Sequence, residues 1–173
     1  MALWQWDVWI VPRKEVIRIH SVMPEYMDQD WFESEDWWRL VSESELATFF
    51  NSVLPDYSTP WAKNTRSWGS DNGDRIELMV ENGKITDVLI RVDLRNLNLD
   101  FLNSLVSFSK LHNFVFYSLE SNRFIEPNLK ELLGSIEKSR KIVFLKDPQK
   151  FFSDKKYLDA VDKENRRKLN DPL

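Results

Sequence analysis

At 173 residues, with 42% hydrophobic and 13% aromatic content, the chain has the size and apolar material for one packed domain and lies outside the composition of disordered chains. Its net charge of −4 argues against general binding to nucleic acid, which needs an excess of Lys and Arg to neutralise phosphates. The lack of cysteine excludes a disulfide framework, a thiolate metal site and a Cys nucleophile.

The N-terminus, Met1-Ala-Leu-Trp-Gln-Trp-Asp, has neither a basic n-region nor an uninterrupted apolar h-region, so no signal peptide is expected. No apolar stretch approaches the length that crosses a bilayer. A soluble, cytoplasmic protein without membrane contact is the expectation.

Residues 2–11 alternate: Trp4, Trp6, Val8 and Ile10 share one face, and Leu3, Gln5, Asp7 and Trp9 the other. This pattern predicts a strand closed by Pro12. Val16-Ile-Arg-Ile19 predicts a second short strand, and residues 30–35 read as irregular. Ser42 and Glu45 have capping-box spacing ahead of Leu46, Phe49, Phe50, Val53 and Leu54, which predicts an amphipathic helix stopped by Pro55. Residues 55–65, with Pro60 inside, read as loop.

Ile76, Leu78 and Val80 then alternate with polar neighbours, as do Val88, Ile90, Val92 and Leu94 after a turn at residues 81–84. A two-residue Asn82-Gly83 turn would set Asp87 opposite Leu78. A three-residue loop with a left-handed Gly83 pairs Ile76 with Val88 instead, and is the register expected here. In it Glu77 faces Asp87.

Asn98 is placed to cap a helix through Phe101, Leu102, Leu105, Phe108 and Leu111. Residues 114–119 read as a buried strand. Pro127 sits at a helix start ahead of Leu129, Leu132, Leu133 and Ile136. Residues 142–145 read as another buried strand, and Asp147-Pro148 as the opening of a short helix carrying Phe151 and Phe152. A polar, partly mobile tail follows from about residue 160. The expected class is α+β: a mixed, largely antiparallel sheet with amphipathic helices packed on it and some βαβ crossover in the C-terminal half, all in one domain.

Charge is unevenly placed along this frame. Residues 24–62 carry nine acids (Glu25, Asp28, Asp30, Glu33, Glu35, Asp36, Glu43, Glu45 and Asp56) against Arg39, a local charge of −8. Four tryptophans, Trp31, Trp37, Trp38 and Trp61, lie in that segment, with Trp68 just beyond. Residues 138–173 carry eleven bases against six acids, +5. Large amphipathic rings beside uncompensated carboxylates suit a basic protein surface. Trp31, Glu33, Glu35, Asp36, Trp37 and Trp38 are therefore the candidate interaction surface. Adjacent Trp37 and Trp38 cannot both face inward in regular structure, which makes one of them a candidate exposed anchor. Both rings wrapped against the fold is the alternative.

The polar side of the hairpin, Arg75, Glu77, Asp87, Arg91, Asp93 and Arg95, is the second candidate site. Facing carboxylates at Glu77 and Asp87 would repel, raise one pKa and suit general-acid chemistry. A solvated face with the arginines neutralising the acids is the alternative.

Other chemistry is thin. The four glycines are scattered, so neither a P-loop nor a dinucleotide fingerprint can be written. His20 and His112 have no ligand at metal spacing, and residues 70–74 fail the register of a calcium loop and read as a turn. No G-x-S-x-G elbow exists. No cofactor, metal or catalytic residue is expected. Three functions stand open: a non-enzymatic interaction module against a basic partner, of inhibitor or immunity type; a hydrolase or transferase using the hairpin carboxylates; and a structural subunit of an oligomer.

Overall fold

The computed structural model describes residues 4–39, 41–57 and 64–149. Among them, β1 (Gln5–Pro12), β2 (Asp56–Tyr57), β3 (Thr65–Gly69), β4 (Arg75–Glu81), β5 (Lys84–Asp93), β6 (Phe114–Ser118) and β7 (Arg123–Ile125) form one sheet in the order β2-β3-β4-β5-β1-β6-β7. Helices α1 (Arg13–His20), α2 (Gln29–Ser34), α3 (Glu43–Val53), α4 (Leu99–Leu111), α5 (Leu129–Glu137) and α6 (Arg140–Lys146) complete the α+β fold. None of these helices is long and apolar enough to cross a membrane.

Every hydrogen-bonded pair of strands is antiparallel, so the parallel pairing expected of a mixed sheet is not present among the described residues. The crossover is there in split form. Strands β5 and β6 both run against β1 and hence alongside each other, joined by α4 across the strand between them.

Cross-strand register sorts the side chains into two layers. Trp6, Val8 and Ile10 stand opposite Val92, Ile90 and Phe116, and Ile76 stands between Ile90 and Trp68. Phe50 of α3, 5.1 Å from the Trp68 ring, and Phe108 of α4, 5.7 Å from Phe114, close this layer. It is the main core.

The opposite face carries Gln5, Asp7 and Trp9 of β1 against Asp93, Arg91 and Leu89 of β5, with Arg75 and Glu77 beyond. Phe32 of α2 covers its Trp9 end, stacking on Tyr117 at 3.9 Å. From α6, Lys141 reaches Asp7 at 2.6 Å. Strand β1 is thus buried on both faces, which explains why Gln5 and Asp7 are nearly as enclosed as Trp6 between them.

Several local expectations are corrected. Residues 16–19 belong to helix α1: Pro12 sets an extended N-cap, and Arg18 pairs with the buried Glu15 one turn earlier at 2.6 Å. Residues 30–35 are mostly helical, as α2, because Asp28 accepts from Asp30 N and Trp31 N. Residues 142–145 lie in α6, started by Ser139 accepting from Lys141 N. Ser42 occupies the α3 N-cap position without a side-chain cap bond; its Oγ meets Ser44 Oγ at 2.7 Å. Asn98 does cap α4, accepting from Phe101 N at 3.0 Å. Asn128, next to Pro127, caps α5. Strand β2 lies inside the expected loop, and β7 follows a tight turn after β6.

The β4–β5 register is corrected too. The turn has two residues, Asn82 (φ 51°) and Gly83 (φ 75°), and Glu81 pairs Lys84. A bulge at Met79/Val80 shifts the ladder by one, so Leu78 meets Val88 and Ile76 meets Ile90. Apolar residues still oppose apolar ones. Trp61, Phe151, Phe152 and the expected tail lie outside the described residues.

Candidate functional site

The acidic surface is built on a clamp that ties residues 21–36 to β6. Buried Met27 donates its N–H to Asn122 O at 2.9 Å, and its carbonyl accepts from the Tyr117 hydroxyl at 2.8 Å. Asp28 then starts α2, a helix of one and a half turns that points Phe32 inward and leaves Trp31 and Glu33 outside. Trp31 is 50% exposed, and Tyr26 and Val22, earlier in the chain, are 58% and 68% exposed. Among them stand the exposed carboxylates Glu25, Asp28, Asp30, Glu33 and Asp36, while Glu35 is half-buried. Arg123 lies 3.6 Å from Glu25, and Gln29 donates to Glu33 at 2.8 Å.

Trp37 and Trp38 are both buried, at 2% and 3% exposure, so neither is the exposed anchor. They occupy a turn, not a helix or strand, and they part company. The Trp37 ring stacks 5.4 Å from Phe32, and its Nε1 donates to Phe32 O at 2.8 Å. The Trp38 ring meets Phe114 at 5.7 Å. Phe114 and Tyr117, three apart on β6, lie on opposite faces, so the two indoles enter different layers. Of these three tryptophans Trp31, in a segment whose sequence reads as irregular, is the exposed one.

The acidic field extends beyond the Trp-rich segment. Burial raises the Asp87 carboxyl above its ordinary value, and the nearby Glu33 charge is the second cause, with Glu81 adding a smaller push. Helix α2 therefore shares an electrostatic neighbourhood with the β4–β5 hairpin. The Tyr117 hydroxyl is pushed far up by burial, then by Asp28, Tyr26 and Glu33. Nothing in the sequence alone joins Glu33 to Asp87, because the influence of one charge on the other depends on where α2 lands.

The hairpin's polar face has a different character. Glu77 stands opposite Leu89, and Asp87 opposite Met79, so these carboxylates do not face each other. Glu77 Oε1 lies 2.8 Å from Arg75 Nη2, and its Oε2 lies 3.3 Å from Arg91 Nη2. Arg91 Nε also lies 3.5 Å from Asp7 Oδ1, and Arg75 pairs with Asp71. With Lys141 on Asp7, three cations oppose three carboxylates. Arg75, Glu77 and Asp93 are buried, so this is a neutralised internal network rather than a wet sheet face. Asp93 accepts Arg95 Nε at 2.9 Å, which holds its carboxyl below the ordinary value, and the Arg95 guanidinium lies over Trp4 at 4.6 Å.

A hollow of about 480 Å³ at the start of α4 includes Asp74, Asp93 and Asp100 in its wall, and one of about 680 Å³ lies between β7 and α5. Residues 70–74 form the expected turn: Ser70 N donates to Asp74 O at 3.2 Å, and Gly73 N to Ser70 O at 3.4 Å. No group of acids and histidines placed to hold a metal occurs among the described residues. His112 ends α4 and lies 2.9 Å from Glu45. His20 ends α1 with its ring against Trp31. Compared with protein-family models, curated proteins and solved structures, the chain matches none, so the functional reading rests on its own residues.

Proposed function

We propose that the protein is a non-enzymatic interaction module whose docking surface comprises Tyr26, Trp31, the exposed carboxylates of residues 25–36, and Asp87 and Glu81 of the hairpin. Its partner is a protein with a basic surface, as an inhibitor or immunity-type protein would meet on a nucleic-acid-processing enzyme. The observation that carries the reading is Trp31, half out of solvent on a helix whose neighbouring acids are mostly exposed. Complementary charge would steer the encounter, and the aromatic ring would supply contact area at low entropic cost.

The other two readings draw less support. General-acid chemistry at the hairpin needed Glu77 and Asp87 side by side, and they are not. Assembly through strand edges needed long apolar edges, whereas β2 and β7 have two and three residues.

Fluorescence anisotropy with labelled octa-arginine tests the proposal. Binding should weaken steeply at high salt, and Trp31→Ala, which changes no charge, should weaken it at fixed salt. Glu137→Gln, on the exposed face of α5, should leave it unchanged. Equal loss from Glu33→Gln and Glu137→Gln, with no effect of Trp31→Ala, would mean diffuse attraction to an acidic protein and no docking surface.

A further inference from the structure

The exposed Trp31 indole is held from two sides. Its Nε1 donates to Glu35 Oε1, four residues on, at 3.1 Å, and its ring meets the His20 ring edge to face at 4.6 Å. His20 lies 6.2 Å from the buried Trp37, Trp37 stacks 5.4 Å from Phe32, and Phe32 stacks 3.9 Å from Tyr117. Rings in sequence thus lead from solvent to strand β6. His20 Nε2 is buried and makes no hydrogen bond among the described residues, so its part in this series is packing.

We infer that His20 and Glu35 are positioning residues of the docking surface: they hold Trp31 in the pose in which a partner meets it. The inference rests on the docking role proposed for residues 25–36, but the pose itself is measurable without a partner. An anchor ordered in advance loses less freedom on binding, and the cost of ordering one side chain corresponds to about 2- to 12-fold in affinity. Glu35 therefore acts through Trp31 rather than as one more surface charge, which explains why its carboxylate is tied to the indole while Glu33 and Asp36 stand exposed.

Indole ¹⁵N relaxation of Trp31 Nε1–H, assigned with Trp31→Phe, and octa-arginine affinity together test this in Glu35→Ala, Glu35→Gln, His20→Ala and His20→Phe. In the wild type the indole should have an order parameter near that of rigid backbone, about 0.85, falling below about 0.6 in Glu35→Ala and His20→Ala. Glu35→Gln keeps an acceptor and His20→Phe keeps a ring, so both should retain the ordered indole. Affinity should fall about 2- to 12-fold in the two alanine variants. Because Glu35→Ala and Glu35→Gln remove the same charge, the difference between them reports the pose. A mobile wild-type indole, or equal weakening by both Glu35 variants, overturns the positioning role. Octa-arginine binding indifferent to Trp31 would instead defeat the docking reading, even with a rigid indole.

Discussion

The Glu77 carboxylate lies 2.8 Å from the Arg75 guanidinium on a sheet face where both side chains are withdrawn from water, at 11% and 5% exposure. Arg91, Asp7, Asp71 and Lys141 extend the pair into a compensated network spanning β1, β4, β5 and α6. Removing Arg75 leaves the buried Glu77 with only its longer contact to Arg91, at 3.3 Å. Arg75→Ala is expected to cost about 3–5 kcal/mol in urea unfolding. The double substitution Arg75→Met with Glu77→Leu should cost less than Arg75→Ala alone. A loss below about 1 kcal/mol for Arg75→Ala would show the pair to be as weak as a surface ion pair.

The tryptophans should separate cleanly by stability. Trp37 fills the space beside Phe32 and satisfies its carbonyl, so Trp37→Ala should destabilise by about 3–5 kcal/mol. Trp31 is half exposed, and Trp31→Ala should cost about 1 kcal/mol or less. Thermal or urea unfolding of the two variants decides it, and similar losses would contradict the burial assignment.

Three glycines should respond with different signs. A Cβ on Gly69, at φ +100°, would sit 2.0 Å from the Asp74 carbonyl oxygen, so Gly69→Ala should severely destabilise the β3–β4 turn. Gly83 also has positive φ, but its surroundings are open, and Gly83→Ala should cost about 1–2 kcal/mol. Gly134 lies within α5 with open space where a methyl group would stand, and Gly134→Ala should stabilise by about 0.5–1 kcal/mol. Urea unfolding of the three alanine variants checks the order, and a destabilising Gly134→Ala would contradict the open surroundings of that helix position.

Asp87 and Asp93 give opposite pH dependences. Burial and Glu33 raise the Asp87 pKa, so the fold holds its proton at a pH where the unfolded chain has lost it. Acidification from neutral therefore favours the folded state through Asp87, fully so below the unfolded value. Arg95 lowers the Asp93 pKa, so its contribution is present above the unfolded value and is lost as pH falls through the folded one. In urea unfolding from neutral to about pH 3, Asp87→Asn should raise stability at neutral pH and flatten the gain on mild acidification. Asp93→Asn should lower it at neutral pH and converge with wild type in acid. The reverse pattern would contradict both environments.

The long periodic elements were legible in the sequence: β1, α3, α4 with its Asn98 cap, and the apolar alternation of the hairpin. Four-residue apolar runs were not. Residues 16–19 and 142–145 fit a strand or a helix equally by pattern, and Glu15–Arg18 and Ser139 settle them as helices. The hairpin register escaped because the Met79/Val80 bulge offsets the two-residue turn, a compensation with no local signature.

The candidate surface was legible in composition but not in placement. Trp37 and Trp38 turn into separate layers because the chain there is irregular, which leaves Trp31 as the exposed ring. Asp7 was visibly on the polar side of β1, but its partners Arg91 and Lys141 are set by sheet order and by the path of α6.

The most direct test of the docking surface is an amide shift map of the ¹⁵N-labelled protein titrated with octa-arginine. Shifts concentrated on residues 25–36 and at Glu81 and Asp87, with α5 unmoved, are the predicted result. Shifts scattered over the exposed acids, or centred away from Trp31, would contradict it.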